Sequence, residues 1–572
     1  MKSIRTIIFF LFVLIVTFVL LAGRCLYLQY FKNEHFNKLS KSQQWGFKLQ
    51  KPRRGVILDR RLRVLAASNR IQTIFAEPRI IKNPEETARK LSSILDTGAI
   101  DIYKLIKESK NPGFVKIETS AEAKQCEAAG KIYGIGVQST WERNYPMGSL
   151  VSHVVGFTSL DGRGLEGVEL KHDKQLRGSA AQNAFLADAF RRPVQPYRLG
   201  EEKNQKLTDG FGIILTIDAT IQNYARKELI KQYENYEAES AVAIVAEPKT
   251  GEILAMVSIP DFDPAKARFA KKENLRNRVV TDQFEPGSIL KPIVAAIALD
   301  AGAVSRSEKI FCENGSYSGK GFGRIGEYGN HNYGNMTVKE ILIKSSNIGM
   351  AKIGQKLCKG RDGRKILYQG LTRFGFGKKT GIDLPGEVEG LLWPVDKWTG
   401  YSITRIPFGQ EISVTAIQLV RAFCILANGG YCVSPYIVKA MIDNDGKIIK
   451  LTRPPPPVGF VIKPQVAKWI VNDALTAVVN EGTGKRAKLE KWQVFGKTGT
   501  ANIAKKNQKG YSQDYYVASF IAGAPAEEPE IVVLVSIRQP NKKLGKGYTG
   551  GAVASPVAAK IIEKTLNYLE QR

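Results

Sequence analysis

The chain has 572 residues, enough for two or three domains with complete cores, and its 43% hydrophobic content is that of an ordinary globular protein. A formal net charge of +30 suits nucleic acid, an anionic membrane surface, anionic wall polymers or simply a basic solvated surface. The basic residues form no dominant tract and the four histidines lack metal-ligand spacing, so neither nucleic-acid binding nor a metal or cofactor is predicted.

The N-terminus predicts a membrane anchor. Lys2 and Arg5 precede an apolar run over residues 6–28, which approaches the ~20 residues that span a bilayer. A cleaved signal peptide is the alternative, but small residues are not well placed for cleavage, and Arg24 interrupts the lipoprotein-like box that ends at Cys25. We therefore predict a cytoplasmic tail over residues 1–5, an inner-membrane anchor over 6–28 and the remaining chain outside the membrane.

An N-terminal non-catalytic domain is predicted over residues 29–205. It contains charged segments at 54–60, 143–148 and 164–169, in which Asp59 or Glu166 invites an acid–base interpretation. No nucleophile or ligand set accompanies them, so a salt-bridged junction between segments is favoured. The polar tract over residues 191–210, with its Pro and Gly residues, predicts the boundary before a second domain over 206–572.

The second domain combines strand-like and helical patterns. A strand and helix begin around residues 215–218, a hairpin turn surrounds Lys249, a helix begins near Ser288, and residues 338–426 are largely helical. Pro454–Pro457 is predicted to be a rigid spacer. Further elements are a hairpin turn at 443–446, a helix at 465–479, strands at 492–501, 517–522 and 531–537, and a helix at 556–569. Helices on an antiparallel sheet predict an α+β fold.

Three motifs in this domain carry chemistry. Ser288 and Lys291 form a Ser-x-x-Lys, followed by Ser345-Ser346-Asn347 and by Lys497-Thr498-Gly499-Thr500. A serine hydroxyl needs a nearby base to act as a nucleophile, and a lysine that has lost its proton can serve. Residues three apart on a helix share a face, so Ser288 and Lys291 are predicted to point into one site.

Each motif alone is a weak signal. Lys-Thr-Gly also occurs at Lys249 and Lys379, and Ser-x-Asn at Ser109. Lys249 follows a proline between two apolar runs, which predicts a hairpin tip, and Lys379 lies in a glycine-rich loop. Only Lys497 continues a strand-like run and follows both other motifs, so the other two copies are predicted to be structural.

The ordered trio resembles the active-site signature of penicillin-binding proteins and serine β-lactamases. The segments Arg276–Arg278 and Phe284–Ser288 resemble the monofunctional class B penicillin-binding proteins, and within them the septal D,D-transpeptidase of the FtsI type. Two departures from that pattern occur. Glu411 stands where a glycine is more usual, and Arg61-Leu62 replaces the Asn-Gly that commonly follows Asp-Arg.

The resemblance implies a transpeptidase domain behind a membrane anchor and an elongated pedestal of the dimerisation type. It implies a serine enzyme that cross-links peptidoglycan stem peptides ending in D-Ala-D-Ala and is inhibited by β-lactams. The implied catalytic residues are Ser288, Lys291, Ser345 and Asn347, and the implied substrate-binding residues are Lys497, Thr498, Gly499 and Thr500. Gly499 is expected to let the strand backbone approach the substrate. The implied process is septal wall synthesis, with a SEDS-type glycosyltransferase and other division proteins as membrane partners.

Other functions stay open at this point. The elongation-specific transpeptidase is the nearest rival, a D,D-carboxypeptidase would use water in place of the amine, and a non-enzymatic division scaffold would have no need of the intact motifs. A sporulation homologue with long C-terminal repeats would need more chain than follows Thr500, and a bifunctional enzyme would need a glycosyltransferase motif that is missing before the boundary. Six scattered cysteines are compatible with one disulfide or with free thiols.

Overall fold

The computed structural model describes residues 2–187, 193–196, 207–360, 362–452, 459–505 and 510–571. The chain forms two compact units. One comprises Met1–Arg53 with Gly178–Gly210, and the other Arg54–Arg177 with Phe211–Arg572. The predicted spacer Pro454–Pro457 and most of the predicted boundary tract lie outside the described residues. The domain limits proposed from the sequence therefore stay predictions.

The first unit begins with a long apolar helix. Helix Lys2–Leu26 continues into a π-helical turn, Tyr27–Phe31, and a second helix covers Asn33–Gln44. Ser3–Phe31 is the one segment in the described ranges that is long and apolar enough to cross a membrane, and it is not buried against other residues. Strands Trp45–Gln50, Ala181–Ala187 and Pro193–Pro196 form an antiparallel sheet. The helix fits a single-pass anchor, as predicted.

A seven-stranded sheet runs through the second unit. Strand Gly212–Leu215 pairs in parallel with Ile57–Leu58 and antiparallel with Val438–Ile442. Ile57–Leu58 also pairs with Val64–Ala76. The remaining strands are Ile448–Leu451, Val115–Glu118 and Ile135–Asn144. Backbone hydrogen bonds between Ile57–Leu58 and Gly212–Leu215 thus join the N-terminal part of this unit to the start of its C-terminal part.

The charged segments of the N-terminal part meet at Glu169. Its carboxylate is fully buried and accepts hydrogen bonds from Arg54 Nε at 2.6 Å and Arg143 Nε at 2.7 Å. Arg54 Nη1 also donates to Asp173 Oδ1 at 2.7 Å. Asp59, one of the two residues open to an acid–base interpretation, is buried and accepts a hydrogen bond from Arg63 Nε at 2.7 Å. These pairs agree with the predicted salt-bridged junction, because each buried carboxylate has a cationic partner.

The catalytic motifs lie around a five-stranded antiparallel sheet. Its strands follow the order Ile253–Ile259, Ser240–Ala246, Ile531–Arg538, Tyr511–Ala524 and Phe495–Ala504. Every residue of the first two strands is buried, since helices pack on both faces. Phe495–Ala504 lies at the edge of the sheet and is called the edge strand below. Helices on this sheet agree with the predicted α+β class.

Helices and two small antiparallel sheets, Ile310–Phe311 with Asn335–Met336 and Ser316–Gly319 with Gly323–Gly326, complete the second unit. In the N-terminal part the helices are Pro84–Ser92, Ala99–Lys107 and Ala123–Gly130, with short helices Ser152–Val155, Gly167–Lys171 and Asp173–Arg177. In the C-terminal part they are Ala219–Asn235, Lys272–Leu275, Arg278–Thr281, Lys291–Asp300, Val338–Lys344, Asn347–Leu357, Gly363–Arg373, Gly400–Arg405, Ala416–Ala427, Pro464–Trp469, Thr476–Asn480, Gly550–Val553 and Ser555–Glu570. The predicted helix over 465–479 contains a π-helical turn, Ile470–Leu475. All six cysteines are free thiols.

Both departures from the family pattern fall where the backbone favours glycine. Leu62 has φ 64° and Glu411 has φ 59°. The left-handed conformation costs a non-glycine residue roughly 1–2 kcal/mol because its Cβ crowds the following carbonyl. The turn geometry is therefore kept at these two positions although the glycine is absent.

Candidate active site

Ser288 lies on a tight turn, Gly287–Leu290, named the nucleophile turn. This 3-10 turn leads directly into helix Lys291–Asp300. Residues three apart eclipse each other in a 3-10 turn, so Ser288 and Lys291 align more directly than on the α-helix that the sequence predicted. Gly287 has φ 53°, and a Cβ on Gly409 would lie 2.0 Å from the Gly287 carbonyl oxygen. Both positions therefore require glycine for the turn to form.

Lys291 is fully buried beside the second motif. Its Nζ lies within hydrogen-bond distance of three oxygens, the Ser345 carbonyl at 2.5 Å, Asn347 Oδ1 at 2.8 Å and Ser345 Oγ at 3.3 Å. Burial holds the pKa of Lys291 well below its ordinary value, the positive charge of Lys497 lowers that pKa further, and Glu327 opposes both. The neutral amine that a general base requires is therefore favoured.

Ser345 and Ser346 form a corner between two helices. Ser345 ends helix Val338–Lys344 in the left-handed conformation, with φ 59° and ψ 39°. Ser346 begins helix Asn347–Leu357, and its hydroxyl accepts a hydrogen bond from the Gly349 N–H at 2.9 Å. A side-chain oxygen at this position satisfies an otherwise unpaired donor of the first helical turn. The corner turns Ser345 and Asn347 towards Lys291.

Lys497 extends from the edge strand to the same hydroxyl. Its Nζ donates to Ser345 Oγ at 3.0 Å and to the Thr498 carbonyl oxygen at 3.3 Å. Burial lowers the pKa of Lys497 to about 7. Ser345 Oγ is thus within hydrogen-bond distance of two buried lysines, 3.3 Å from Lys291 Nζ and 3.0 Å from Lys497 Nζ. Such a bridge can pass a proton between two amines whose pKa values burial lowers.

The rest of the third motif fixes the edge strand against the nucleophile turn. A Cβ on Gly499 would lie 2.8 Å from Ile289 Cγ1 and 3.1 Å from the Pro286 carbonyl oxygen. The absent side chain therefore lets the strand pack against the turn that carries the nucleophile, and the expected approach of the strand backbone to substrate stays a prediction. Thr498 Oγ1 lies 2.6 Å from Thr483 Oγ1, and Thr500 Oγ1 accepts from the Gly550 N–H at 3.1 Å.

One residue that fixes the site was missed from the sequence. Glu327 is buried, and its carboxylate accepts the Ser346 hydroxyl at 2.5 Å and the backbone N–H groups of Asn347 at 2.7 Å and Ile348 at 3.2 Å. A negative charge at a helix N-terminus is favoured by the helix dipole. Glu327 therefore holds the second motif in place. It follows a glycine in an irregular segment without any motif, so the sequence carries no signal for this role.

The two additional Lys-Thr-Gly copies lie elsewhere. Lys249 is at the hairpin between two strands, with its Nζ 2.6 Å from Glu528 Oε1 and more than half of its side chain exposed. Lys379 is exposed in a loop, where the Thr380 hydroxyl donates to Glu387 at 2.6 Å. Ser109 is in an exposed turn and accepts from the Asn111 N–H at 3.1 Å. Their placement matches the structural role predicted for each.

Five of the eight predicted site residues line one cleft of ≈ 690 Å³. Ser288, Ser345, Asn347, Thr498 and Thr500 line it. Behind these lie Lys291 and Lys497, fully buried, and Gly499, which is packed against the turn. The arrangement brings together a serine, a buried lysine amine with a lowered pKa and a bridging hydroxyl at the edge strand, and these groups can carry out acyl transfer through a covalent intermediate.

Comparison with known proteins identifies the family. The penicillin-binding protein transpeptidase domain matches residues 241–563, and the penicillin-binding protein dimerisation domain matches residues 49–207. The chain belongs to the penicillin-binding proteins. The pairing of these two domains is the class B arrangement, so the resemblance drawn from the motifs is confirmed.

Curated relatives cover nearly the whole chain. Stage V sporulation protein D of Bacillus subtilis is 33% identical over 98% of this chain and 85% of its own length. A probable peptidoglycan D,D-transpeptidase, PenA of Neisseria gonorrhoeae, is 32% identical over 100% of this chain and 94% of its own length. Peptidoglycan D,D-transpeptidase FtsI of Escherichia coli is 28% identical over 89% and 82%, respectively.

Solved structures of penicillin-binding proteins share the fold. Penicillin-binding protein 3 of Mycobacterium tuberculosis, complexed with aztreonam, has a TM-score of 0.70 at 26% identity and covers 91% of this chain and 97% of that one. A peptidoglycan synthetase from Bifidobacterium adolescentis has a TM-score of 0.73 at 25% identity, with 92% and 97% covered. These neighbours confirm the predicted fold class.

Proposed function

We propose that this penicillin-binding protein is a peptidoglycan D,D-transpeptidase with Ser288 as its nucleophile. The bridge from Lys291 through Ser345 to Lys497, at 3.3 and 3.0 Å, is the observation that carries the proposal. It joins a buried amine with a lowered pKa, three residues after the serine, to a second buried amine on the edge strand. The names of the relatives PenA and FtsI support the same activity.

The first half-reaction forms an acyl-enzyme. Ser288 Oγ attacks the carbonyl carbon of the penultimate D-alanine, and its proton passes to Lys291 Nζ. The C–N bond then breaks, and the terminal D-alanine leaves as an amine that receives the proton through Ser345. Backbone N–H groups of Ser288 and Thr500 stabilise the oxyanion, at ~3 kcal/mol per donor in other acyl-transfer enzymes. The donor remains attached to Ser288 as an ester.

Substrate binding falls to the edge strand and the corner. Lys497 with the hydroxyls of Thr498 and Thr500 holds the terminal carboxylate of the donor, since a cation with two neutral donors suits that group. Asn347 fixes the donor amide. Gly499 keeps the strand close to Ser288.

The second half-reaction forms the cross-link. An amine of a neighbouring stem attacks the ester carbonyl, transfers its proton to Lys291 and releases Ser288 with its hydroxyl restored. Water in place of the amine gives the hydrolytic product of a D,D-carboxypeptidase. The geometry of the nucleophile is the same for both outcomes, so the nature of the acceptor distinguishes them.

Mass spectrometry after incubation with a labelled penicillin tests the nucleophile. The antibiotic's strained amide should acylate Ser288, and Ser288→Ala should fold and take no label. Label at any other residue would contradict the assignment. Product analysis with donor and acceptor strands then separates cross-linking from hydrolysis, and absence of both products would favour a scaffold.

The cellular role proposed is septal wall synthesis from a single-pass anchor. Lys2 and Arg5 before the apolar helix favour a cytoplasmic N-terminus with the catalytic domain outside the membrane. A SEDS-type glycosyltransferase and other division proteins are the proposed membrane partners. The 33% identity to a sporulation protein favours a second candidate, synthesis of a sporulation septum or spore wall. Depletion of the protein from growing cells distinguishes the two roles. Loss of a division enzyme should give filamentous cells during growth, whereas loss of a sporulation enzyme should affect only spore formation.

A further inference from the structure

A buried arginine faces a small pocket beside the five-stranded sheet. Arg278 lies in the short helix Arg278–Thr281, before the nucleophile turn, and only 8% of its surface is exposed. Its Nη1 is buried, and within the described ranges no hydrogen-bond acceptor reaches that atom. Burial lowers the pKa of this guanidinium, the charge of Asp282 opposes the shift, and the charge of Arg276 adds to it. A guanidinium keeps its charge in proteins, so a buried charge and a buried donor both need a partner here.

The pocket lies between the sheet and the segment that contains Arg278. On the sheet side, Ser240 pairs with Arg538 and Arg538 pairs with Val517, so these three side chains share one face. On the other side, Arg278 and Asp282 line the pocket, whose volume is ≈ 30 Å³. A single water molecule needs about 10–15 Å³ of accessible space, so the pocket suits a monatomic ion or water and not a phosphate or an organic acid.

The charges around the pocket leave one positive charge without a partner. Asp282 Oδ2 accepts a hydrogen bond from Arg276 Nη2 at 3.0 Å. Glu239 Oε2 accepts a hydrogen bond from Arg538 Nε at 3.1 Å. Each carboxylate is therefore engaged by another arginine, and in the described part of the chain Arg278 forms no ion pair. A water molecule would accept the hydrogen bond of Nη1 and leave the charge, whereas a monovalent anion satisfies both.

We propose that this pocket is a halide site, in which chloride binds the buried Nη1 of Arg278. The ion accepts the charge-assisted hydrogen bond of that nitrogen and offsets the guanidinium charge. The segment then continues through Phe284, whose backbone pairs with Val414, into the nucleophile turn. The bound ion therefore stabilises the segment before the nucleophile against the sheet, and it takes no part in acyl transfer. The inference is independent of the proposed reaction.

Bromide locates the site in the unmodified protein. Crystals of the full-length chain are grown in sodium bromide, and diffraction is measured at the bromine absorption edge. We expect an anomalous peak at hydrogen-bond distance from Arg278 Nη1. An ordered water at that position, without anomalous signal, would overturn the proposal even if bromide bound elsewhere on the basic surface.

Thermal unfolding measures what the ion contributes to stability. The full-length protein in detergent micelles is melted at constant ionic strength, with chloride replaced stepwise by gluconate, which is too large for the pocket. We expect the melting temperature to rise by about 3 °C between chloride-free buffer and about 150 mM chloride, since a ligand that binds only the folded state stabilises it. In Arg278→Gln, which removes the charge, this rise should shrink to less than about 1 °C.

A matched arginine variant separates the site from the general basic surface. Arg226 pairs with Asp261 Oδ2 at 2.7 Å, away from the pocket, and Arg226→Gln should keep the full rise with chloride. An equal rise in Arg278→Gln and the parent would overturn the proposal and assign the chloride effect to the net charge of +30. If Arg278→Gln does not fold, the bromide measurement on the unmodified protein decides.

Discussion

Two clusters of buried charge in the same unit differ in how their charges are paired. At the junction, the carboxylate of Glu169 is fully buried between Arg54 and Arg143. Behind the cleft, Lys291 and Lys497 are fully buried, no acidic side chain in the described part of the chain contacts either amine, and burial lowers both pKa values. The paired charges at the junction hold segments together. The two unpaired lysines favour the neutral form of Lys291, because burial and the charge of Lys497 lower its pKa. Substitutions in the two clusters should therefore have opposite consequences.

The sharpest contrast is expected from Lys291→Ala. Removal of the base should lower the rate of Ser288 acylation by about a thousandfold or more, with little loss of reversible ligand binding. The free energy of unfolding should stay the same or rise, because a desolvated amine is removed. Stopped-flow acylation and urea denaturation measure the two quantities. Acylation within tenfold of the parent would show that Lys291 is not the base.

Glu169→Ala should give the reverse pattern. It leaves Arg54 and Arg143 buried without their partner, which should lower the free energy of unfolding by about 3 kcal/mol. Acylation per folded molecule should be unaffected, since Glu169 does not border the cleft. Glu528→Ala, which breaks an exposed pair, is the control and should cost less than about 1 kcal/mol. A stable variant with impaired acylation would invert the roles assigned to the clusters.

The three Lys-Thr-Gly copies extend the contrast to exposed charges. Lys497→Ala should lose about a hundredfold or more in acylation by penicillin, because a carboxylate in a partly dry cleft needs its cation. Lys249→Ala and Lys379→Ala should stay within about threefold, the scale of a surface effect. The rate of acylation by penicillin, measured for each of the three variants, tests this prediction. A large defect in either exposed copy, in a folded protein, would mean that the wrong copy was chosen.

The pH profile reports the unpaired lysines directly. Lys497 is charged below its pKa of about 7, so kcat/KM for acylation should fall as the pH rises through that value. Lys291 must lose its proton to act as a base, and burial and the charge of Lys497 lower its pKa, so a loss of rate towards acidic pH is assigned to Lys291. Lys497→Arg keeps the charge at every accessible pH and should move the upper limb out of the measured range. If the decrease in kcat/KM at alkaline pH is unchanged in Lys497→Arg, that decrease belongs to another group.

The smallest expected effect concerns backbone strain near the junction. Leu62 has φ 64° and is 61% exposed, so Leu62→Gly removes a strained Cβ without loss of packing. Thermal denaturation should show a gain of about 0.5–1 kcal/mol. Ser93→Gly, at an ordinary φ of −74°, should lower stability instead. Equal effects at the two positions would show that the left-handed backbone stores no strain.

The chemistry was predictable because the motifs are local and ordered. Ser288 and Lys291 are three residues apart, so helical geometry alone brings them together, and strand-like flanks separate Lys497 from its two copies. The hairpin at Lys249 and the final helix were predictable for the same reason, since each depends on a short pattern. The helix bounds at Ser555–Glu570 differ from the prediction by one residue at each end.

What could not be predicted depends on contacts between distant segments. Glu327 reaches Ser346 across 19 residues, and Tyr511 reaches Glu285 across 226. Neither Glu327 nor Tyr511 lies in a motif or at a motif spacing that would indicate its role in the site. The packing role of Gly499 was also missed, because the neighbour that excludes a side chain, Ile289, comes from another part of the chain.

The parallel pairing of Ile57–Leu58 with Gly212–Leu215 bears on how the catalytic part can be isolated. A truncation that starts at residue 206 keeps every catalytic motif, yet it leaves the backbone of Gly212–Leu215 uncovered along one side. An uncovered strand is a template for pairing with other molecules, so such a fragment invites aggregation. A fragment that starts at Arg54 retains the covering strand and is the better choice for antibiotic screening in solution.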